Sequence, residues 1–316
     1  MSKPLVSICI PCYNAENYVG QAIDSVLSQS WPEIEIIVIN DGSTDNSQAI
    51  LDSYASKTVN VIHQDNRGQC AAANRAYSES QGDLIKFFDA DDLLSPEFIE
   101  SQVRRLSGRI DAVATAKWGR FYNDDPFTFK LNEEPVWRDL QAQQWLIEAW
   151  NNAKPMMQCA LWLIPRPILE KSGVWDESLS LINDFEFFAR VLCHTNEVLF
   201  TPEATLYYRS GIEGSLSAQK SRLAVESAFN SLLRGTDHLL GCRNDPEARL
   251  SCANVLQNFI YTFYPNHSDL RAVMQQRISE LGGSNLKVTG GPRFHNLRRL
   301  IGWKLAKRLQ KQFIYS

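Results

Sequence analysis

Leu84-Ile85-Lys86-Phe87-Phe88-Asp89-Ala90-Asp91-Asp92 is the stretch from which the rest of this chain can be read. A short apolar run of strand type ends in three carboxylates within four residues, which is costly unless a cation gathers them. A metal ion is the cation these residues suggest. Ser95-Pro96-Glu97 follows: a cap residue, a proline suited to the first helical position and an acid for the first turn, so a helix is expected to begin there. The acids therefore sit on a turn after a strand. In an open α/β sheet, ligands bind in the crevice beyond the carboxyl ends of the strands.

Outward from that stretch, the preceding sequence repeats one unit of apolar strand, polar turn and helix. Leu5 to Ile10 leads into Pro11-Cys12-Tyr13-Asn14 and a helical segment through Val19, Ile23, Val26 and Leu27. Ile34 to Ile39 leads into Asn40-Asp41-Gly42-Ser43-Thr44-Asp45 and a helix through Ile50, Leu51 and Tyr54. Val59 to Ile62 leads into Asp65-Asn66-Arg67-Gly68 and the alanine-rich helix Cys70 to Tyr77. Strands this short and apolar, alternating with helices, imply a mostly parallel sheet covered on both faces, an α/β doubly wound fold. Each turn carries groups suited to a ligand: Tyr13 and Asn14, Asp41 and Ser43, Asn66 and Arg67, then the three aspartates. Four such turns at one end of one sheet form a candidate cleft.

Beyond the aspartates, Ala112 to Tyr122 reads as a strand, 123–126 as a turn, and Leu140 to Trp150 as a helix. Trp137, Trp145 and Trp150 fit a core better than sugar-facing platforms, because large aromatics near helical spacing pack inward. Gln158 to Leu163 resembles another strand and Arg166 to Lys171 a short helix. In Asn183 to Leu192 the apolar stripe Phe185, Phe188, Leu192 leaves Asp184 on the first turn and off that face. The residues alone leave Asp184 open between helix cap and catalytic carboxylate. Val198 to Phe200 and Ala204 to Tyr208 are strand-like, and helices dominate after residue 219. The expected division is 1–217 as the nucleotide-binding and catalytic domain, 218–283 as a helical subdomain and 284–316 as a basic tail, with Gly282-Gly283-Ser284 and Gly290-Gly291-Pro292 marking the linker.

The 316 residues suffice for one large core or a core with an appendage, and 44% apolar with 22% charged is an ordinary globular balance. No apolar run approaches the ~18 residues of a spanning helix, and no secretion signal is evident, so a cytoplasmic location is expected. The seven cysteines read as free thiols, and the pair Cys9 and Cys12 lacks the second pair a zinc site needs. Net charge is −4, yet the segment after Glu280 holds eight basic residues and no acid, leaving −12 on the remainder. In that tail Phe294, Leu297, Ile301, Leu305 and Leu309 share a helical face, with Arg299, Lys304, Lys307 and Lys311 off it and Trp303 and Phe313 nearby. A basic amphipathic helix of this kind suits an anionic membrane surface. Packing against the acidic body of the protein is the competing reading; nucleic acid is not expected, because no base-reading motif accompanies the charge.

Taken together, these residues resemble the family 2 inverting glycosyltransferases with the GT-A fold. VSICIPCYN from Val6 resembles that family's opening strand and turn, and IIVINDGSTDNS from Ile36 to Ser47 its second strand and nucleotide turn. Asp65-Asn66-Arg67-Gly68 with Ala71-Ala72-Ala73-Asn74 resembles its third block, although Ala73 stands where an arginine is common. Asp89-Ala90-Asp91-Asp92 matches its DxD element, Gly173-Val174-Trp175-Asp176-Glu177 its Gly-Phe-Asp-Glu block, and Asn183-Asp184 stands where two acids are usual.

The resemblance implies that Pro11, Tyr13 and Asp41 line the base pocket, Asp41 accepting the N3 proton of uracil, with Arg67 close by. Asp89 would contact the ribose, Asp91 a Mn²⁺ or Mg²⁺ ion, and Asp92 the surroundings of the donor sugar. Asp184 would take the proton of the acceptor hydroxyl. The implied partners are a nucleotide-sugar donor, a UDP-sugar above all, and a glycan or lipid-linked acceptor in cell-surface polysaccharide or glycolipid synthesis. After Tyr208-Arg209 the metal-binding histidine of many members is absent, which leaves two alternatives: Glu213 in its place, or water and diphosphate oxygens completing the shell. That absence and Asn183 support the rival reading, a non-catalytic nucleotide-sugar-binding module.

Overall fold

The computed structural model describes residues 3–212 and 219–314, which divide into two compact units: Met1–Trp145 with Met157–His238, and Leu146–Met156 with Leu239–Ser316. The chain begins with β1 (Val6–Cys12), α1 (Val19–Leu27), β2 (Ile34–Asp41), α2 (Ser47–Tyr54), β3 (Val59–Gln64), α3 (Gln69–Glu79) and β4 (Leu84–Phe87). Next come β5 (Leu93–Leu94), α4 (Phe98–Leu106), β6 (Ala112–Tyr122), β7 (Asp125–Leu131), β8 (Leu140–Gln141), α5 (Ala142–Asn151), β9 (Ile164–Pro165), α6 (Arg166–Ser172), α7 (Asn183–Cys193) and β10 (Glu197–Ser210). Four helices end the described chain: α8 (Arg222–Cys242), α9 (Pro246–Phe263), α10 (Ser268–Glu280) and α11 (Pro292–Ile314).

In the first unit, one sheet runs β3-β2-β1-β4-β9, parallel through its first four strands and antiparallel at β9. The expected parallel sheet is present, and its central strands carry the fully buried Ile8, Ile10, Val38 and Ile39 that helices on both faces require. A second sheet runs β5-β10-β6-β7. The two strands expected at 198–200 and 204–208 are one strand, β10, with a register shift between Thr201 and Thr205 that interrupts its pairing to β6. The turn after β6 is a tight hairpin in which Asn123 and Asp124 both have positive φ, 56° and 55°.

Two local expectations change. Gln158 to Leu163 is not a strand: Cys159–Leu161 form a single 3₁₀ turn capped by the Gln158 side chain, and only Ile164–Pro165 pairs with β4. Ser95 does not cap α4, which starts at Phe98; its hydroxyl instead accepts the N–H of Thr205 at 3.1 Å and fastens β10. Trp145 packs edge-on to Trp162 at 5.0 Å, and Trp137 stacks on Phe200 at 5.8 Å.

In the second unit Trp150 is fully buried, and the basic tail is not one continuous amphipathic helix. Gly302 (φ 76°, ψ 158°) breaks α11, and Trp303 beyond it packs against Tyr261 and Tyr264, each at 5.0 Å. Phe294, Leu297 and Ile301 pack with Val288, Ala306 and Tyr261, so the front half of the expected lipid-facing stripe is internal to this unit. Leu305 of that stripe is 47% exposed and Leu300, off it, is 83% exposed, beside the exposed Arg299, Lys304 and Arg308; the side chains of Lys311 and Phe313 lie outside the described residues. Among the described residues no helix is long and apolar enough to cross a membrane.

Candidate active site

Strand β4 is buried along its whole length in register with β1, Phe87 opposite Cys9, and the Phe88 N–H reaches the Cys9 carbonyl at 2.9 Å. The chain therefore leaves the sheet at Asp89. The ligating oxygens of Asp89, Asp91 and Asp92 lie within 4.8 Å of one another. A neutral amide joins two of them: Gln158 Nε2 donates to Asp89 Oδ2 at 2.9 Å and Asp92 Oδ2 at 2.8 Å, while its Oε1 accepts the Ala160 N–H at 2.7 Å. Gln69 Nε2, from the start of α3, donates to Asp89 Oδ1 at 2.9 Å. Beneath the strip that carries Gln158, the fully buried Lys86 donates from Nζ to the carbonyls of Ala160 (2.7 Å) and Trp162 (3.0 Å).

Arg209, 3% exposed at the end of β10, is the cation closest to this group in bonding. Its N–H donates to Asp92 Oδ1 at 2.8 Å and its Nε to the Asp91 carbonyl at 2.6 Å. The rest of the guanidinium pairs with Asp124 of the hairpin and Gln21, and lies over the rings of Tyr18 and Phe121. One cation does not neutralise three acids. Burial first and the Asp89 charge second push the Asp91 carboxyl up to about 7. Burial, then Asp91 and Asp89, hold Asp92 well above the carboxylate range, and burial raises Asp89 as well. Clustered oxygen donors that resist ionisation without a further cation fit a hard divalent ion such as Mg²⁺ or Mn²⁺. Among the described residues no other His, Cys, Asp or Glu joins this group, and Glu213 lies outside them.

Asp184 is on the first turn of α7, held close to β4 by aromatic packing. Trp175 and Phe187 stack at 3.8 Å, Phe87 meets both edge-on at 5.3 and 5.6 Å, and Phe188 stacks on Trp162 at 5.0 Å. Phe87 lies just before Asp89 and Phe187 just after Asp184, so this packing sets the two acids' separation. Asn183, buried where a second acid was the expectation from family resemblance, donates from Nδ2 to Gln69 Oε1 at 3.1 Å and Cys70 Sγ at 3.2 Å, and its Oδ1 accepts the Asp184 N–H at 2.9 Å. Among the described residues the Asp184 carboxylate has no hydrogen-bond or ion-pair partner. Burial raises its pKa well above the usual value, and the Asp89 charge adds to the rise.

The other candidates lie at the ends of β1 to β3. Pro11 is half-buried in β1, and Tyr13 follows it 51% exposed. Asn14 Oδ1 accepts the Thr44 N–H at 2.8 Å, tying the first turn to the second. Asp41 is 2% exposed and accepts from Gln64 Nε2 (2.7 Å) and the N–H groups of Arg67 (2.9 Å) and Gly68 (2.8 Å). With about four lone-pair sites on a carboxylate, it shapes the turn after β3 and keeps roughly one site for a ligand. Gly42 has φ 71° and no room for a Cβ, which would meet the Asn66 nitrogen at 2.7 Å. The Arg67 side chain is exposed and reaches Glu177 Oε2 at 3.4 Å. Asp92, expected near the donor sugar, has no exposed surface, and both its oxygens are engaged inside the protein.

Sequence reasoning missed Gln69, Gln158 and Lys86. Nothing local distinguishes a glutamine 69 residues from its partner, and only the place of Lys86 inside an otherwise unbroken apolar run hints that it is buried.

Glycosyl transferase family 2 matches residues 7–173 of this chain. An uncharacterized glycosyltransferase of Rickettsia typhi is 31% identical over 207 residues, 66% of this chain and 64% of that protein. The putative glycosyltransferase EpsH of Bacillus subtilis is 36% identical over 115 residues, 36% of this chain and 33% of that protein. The chain thus spans from about a third to just under two thirds of the length of these curated relatives. Among solved structures, S. aureus TarS 1-349 in complex with UDP-GlcNAc matches with a TM-score of 0.70 and 16% identity, over 88% of this chain and 80% of that one. That likeness concerns the fold, a GT-A α/β arrangement. With more than half of its length matched to the family and the DxD aspartates gathered beyond β4, this chain belongs to glycosyl transferase family 2.

Proposed function

We propose that this chain is an inverting glycosyltransferase that moves a sugar from a UDP-sugar to a hydroxyl of a glycan or lipid-linked acceptor. The observation that carries the reading is the unpartnered carboxylate of Asp184, half-buried and in the field of Asp89. A carboxylate left without donors in a fold that satisfies its neighbours is suited to take a proton from something that arrives.

In this reading Pro11, Tyr13, Asp41 and Arg67 receive the nucleotide and Asp89 the ribose. Asp91, with Asp89 beside it, would hold Mn²⁺ or Mg²⁺, which when bound supplies Lewis-acid stabilisation of the charge that builds on the leaving diphosphate. Asp92, bonded to Gln158 and the Arg209 N–H, holds the turn rather than touching the sugar. Asp184 accepts the acceptor's hydroxyl proton as the oxygen attacks the anomeric carbon on the face opposite the diphosphate. One displacement inverts the centre and needs one base. Burial that raises the Asp184 pKa also makes it a stronger base once ionised.

UDP-GlcNAc, bound in the TarS structure, is the donor to try first. Calorimetric titration with and without Mn²⁺, paired with an assay of UDP release, tests the reading: donor binding with turnover that disappears in Asp184→Asn supports it, and unchanged turnover in that variant removes Asp184 from the role. The outward basic edge of α11, Arg299, Lys304 and Arg308 with Leu300, supports contact with an anionic membrane surface where a lipid-linked acceptor would reside.

A further inference from the structure

The segment 180–186 carries Asp184 two residues after a strained one. Ile182 is β-branched and 40% exposed, yet has φ 62° and ψ 26°, left-handed backbone that such side chains rarely adopt. Strain of this kind persists only where the surroundings over-determine it.

One face of α8 supplies that determination. Ser227, Ser231, Gly235 and His238 follow one another at helical spacing. Ser227 Oγ accepts the Ser180 N–H at 2.7 Å and donates to the Leu181 carbonyl at 3.1 Å. Ser231 Oγ donates to the carbonyl of Ile182 itself at 2.6 Å and accepts the Glu186 N–H at 3.2 Å. A Cβ at Gly235 would lie 2.6 Å from the Phe185 ring, so helix and ring are in direct contact, and His238 Nε2 lies 2.9 Å from Glu186 Oε1. Both hydroxyls are buried; Ser227 bonds the segment before Ile182 and Ser231 bonds it from Ile182 onward, so the two together bracket the strained residue.

We infer that Ser227 and Ser231 are positioning residues for the transfer reaction: they lock Ile182 left-handed, so that Asn183 opens α7 and Asp184 stays in the field of Asp89. The inference rests on Asp184 as the base proposed above. Without the hydroxyls, Ile182 relaxes toward ordinary backbone and the start of α7 shifts from α3. Cys70 reports that shift, because its 2% exposed thiol is covered by the same segment, donating to the Leu179 carbonyl at 3.3 Å and accepting from Asn183 Nδ2 at 3.2 Å.

The test compares the full-length wild type, Ser227→Ala/Ser231→Ala, Ser231→Thr and Asp184→Asn. Labelling of Cys70 by N-ethylmaleimide is followed by peptide mass mapping, and UDP release is measured from UDP-GlcNAc with water as acceptor. In the double variant, which loses the four hydrogen bonds of the two hydroxyls, Cys70 labels about tenfold faster and turnover at saturating donor falls about tenfold, while the donor KM stays within about twofold. Ser231→Thr, which keeps the hydroxyl, labels as the wild type does. Wild-type protection of Cys70 in the double variant overturns the inference, and so does undiminished turnover there when Asp184→Asn is inactive, a result that leaves the base assignment standing. Full turnover in Asp184→Asn removes the base assignment instead, and Cys70 labelling then decides whether the serines hold the segment. Where the double variant does not fold, Ser231→Ala alone carries the same comparison.

Discussion

Asp184 senses Asp89: after burial, the charge of that aspartate is what raises its pKa. The two are also joined through bonds, since the Asp184 N–H meets Asn183 Oδ1, Asn183 donates to Gln69, and Gln69 donates to Asp89. Every link between them is a neutral amide. Amides transmit position without cancelling charge, so both acids stay available to substrate or cation while their separation is fixed. Asn183 in place of an acid thus has a structural task.

The pH profile should reflect this. Because the Asp184 pKa is raised and the ionised form is the base, kcat/KM is expected to fall on the acid side at a pH well above the usual carboxylate range. Asp184→Asn should lower turnover by about 10²–10⁴-fold while donor affinity changes only a few-fold, measured by UDP release and calorimetry.

Gln158→Leu removes the donor to Asp89 and Asp92 and the acceptor for Ala160. We expect a loss of about 1–3 kcal/mol in denaturant unfolding. Gln158→Glu should be worse in the absence of metal, because it adds a fourth acid to the cluster, and should recover stability when Mn²⁺ is added. A Gln158→Glu variant indifferent to Mn²⁺ would contradict the assignment of the ion to this cluster.

Arg209→Met strips the buried counter-charge from Asp91 and Asp92 and leaves Asp124 unpaired. Asp124 is half exposed and loses little, but Asp91 and Asp92 are left buried without the cation that lowers their pKa, so the melting temperature of the metal-free variant should drop. Added Mn²⁺ should raise it by more than it raises that of the wild type, since the ion then replaces the missing cation.

Glu186, 3% exposed, would be raised by burial alone, but bonds from His238 and Arg190 hold it down at about 2. A carboxyl with a depressed folded-state pKa stabilises the fold above its unfolded value of about 4.3 and loses that contribution as pH falls toward 2. Glu186→Gln should therefore lose about 3 kcal/mol at pH 7 and show a flatter stability curve between about pH 5 and pH 2 than the wild type, measured by urea unfolding.

Charge reversal at Arg299, Lys304 and Arg308 should abolish co-sedimentation with vesicles containing anionic lipid at low salt and leave UDP release unchanged. Each basic residue near such a surface contributes about 1 kcal/mol, so losing three is decisive. Equal sedimentation of the wild type with neutral and anionic vesicles would dismiss the membrane contact.

Much of the first unit was legible because its signals are local. Runs such as Ile34 to Ile39 are apolar on both faces, and each ends in a polar turn, so strand, turn and parallel pairing follow from neighbours a few residues apart. The same holds for Asp184, whose place at the start of α7 follows from the spacing of Phe185, Phe188 and Leu192. Local signals misled where a distant partner outbid them. The Ser95 hydroxyl goes to Thr205, 110 residues away, and Gln158 to Leu163 turns where it looked like a strand because Lys86 binds two of its carbonyls. In the tail, Gly302 and the rings of Tyr261 and Tyr264 take up a stripe whose spacing alone suited a lipid surface.

By itself, then, the order of residues determined which acids stand at strand and helix ends, because backbone geometry and side-chain periodicity act over a turn or two. Which acids face one another, which are engaged inside and which is left bare was decided only when sheet register and aromatic packing brought Phe87 against Phe187 and Gln158 between Asp89 and Asp92. Those contacts join residues 66 to 100 positions apart, and no short-range preference of the chain encodes them.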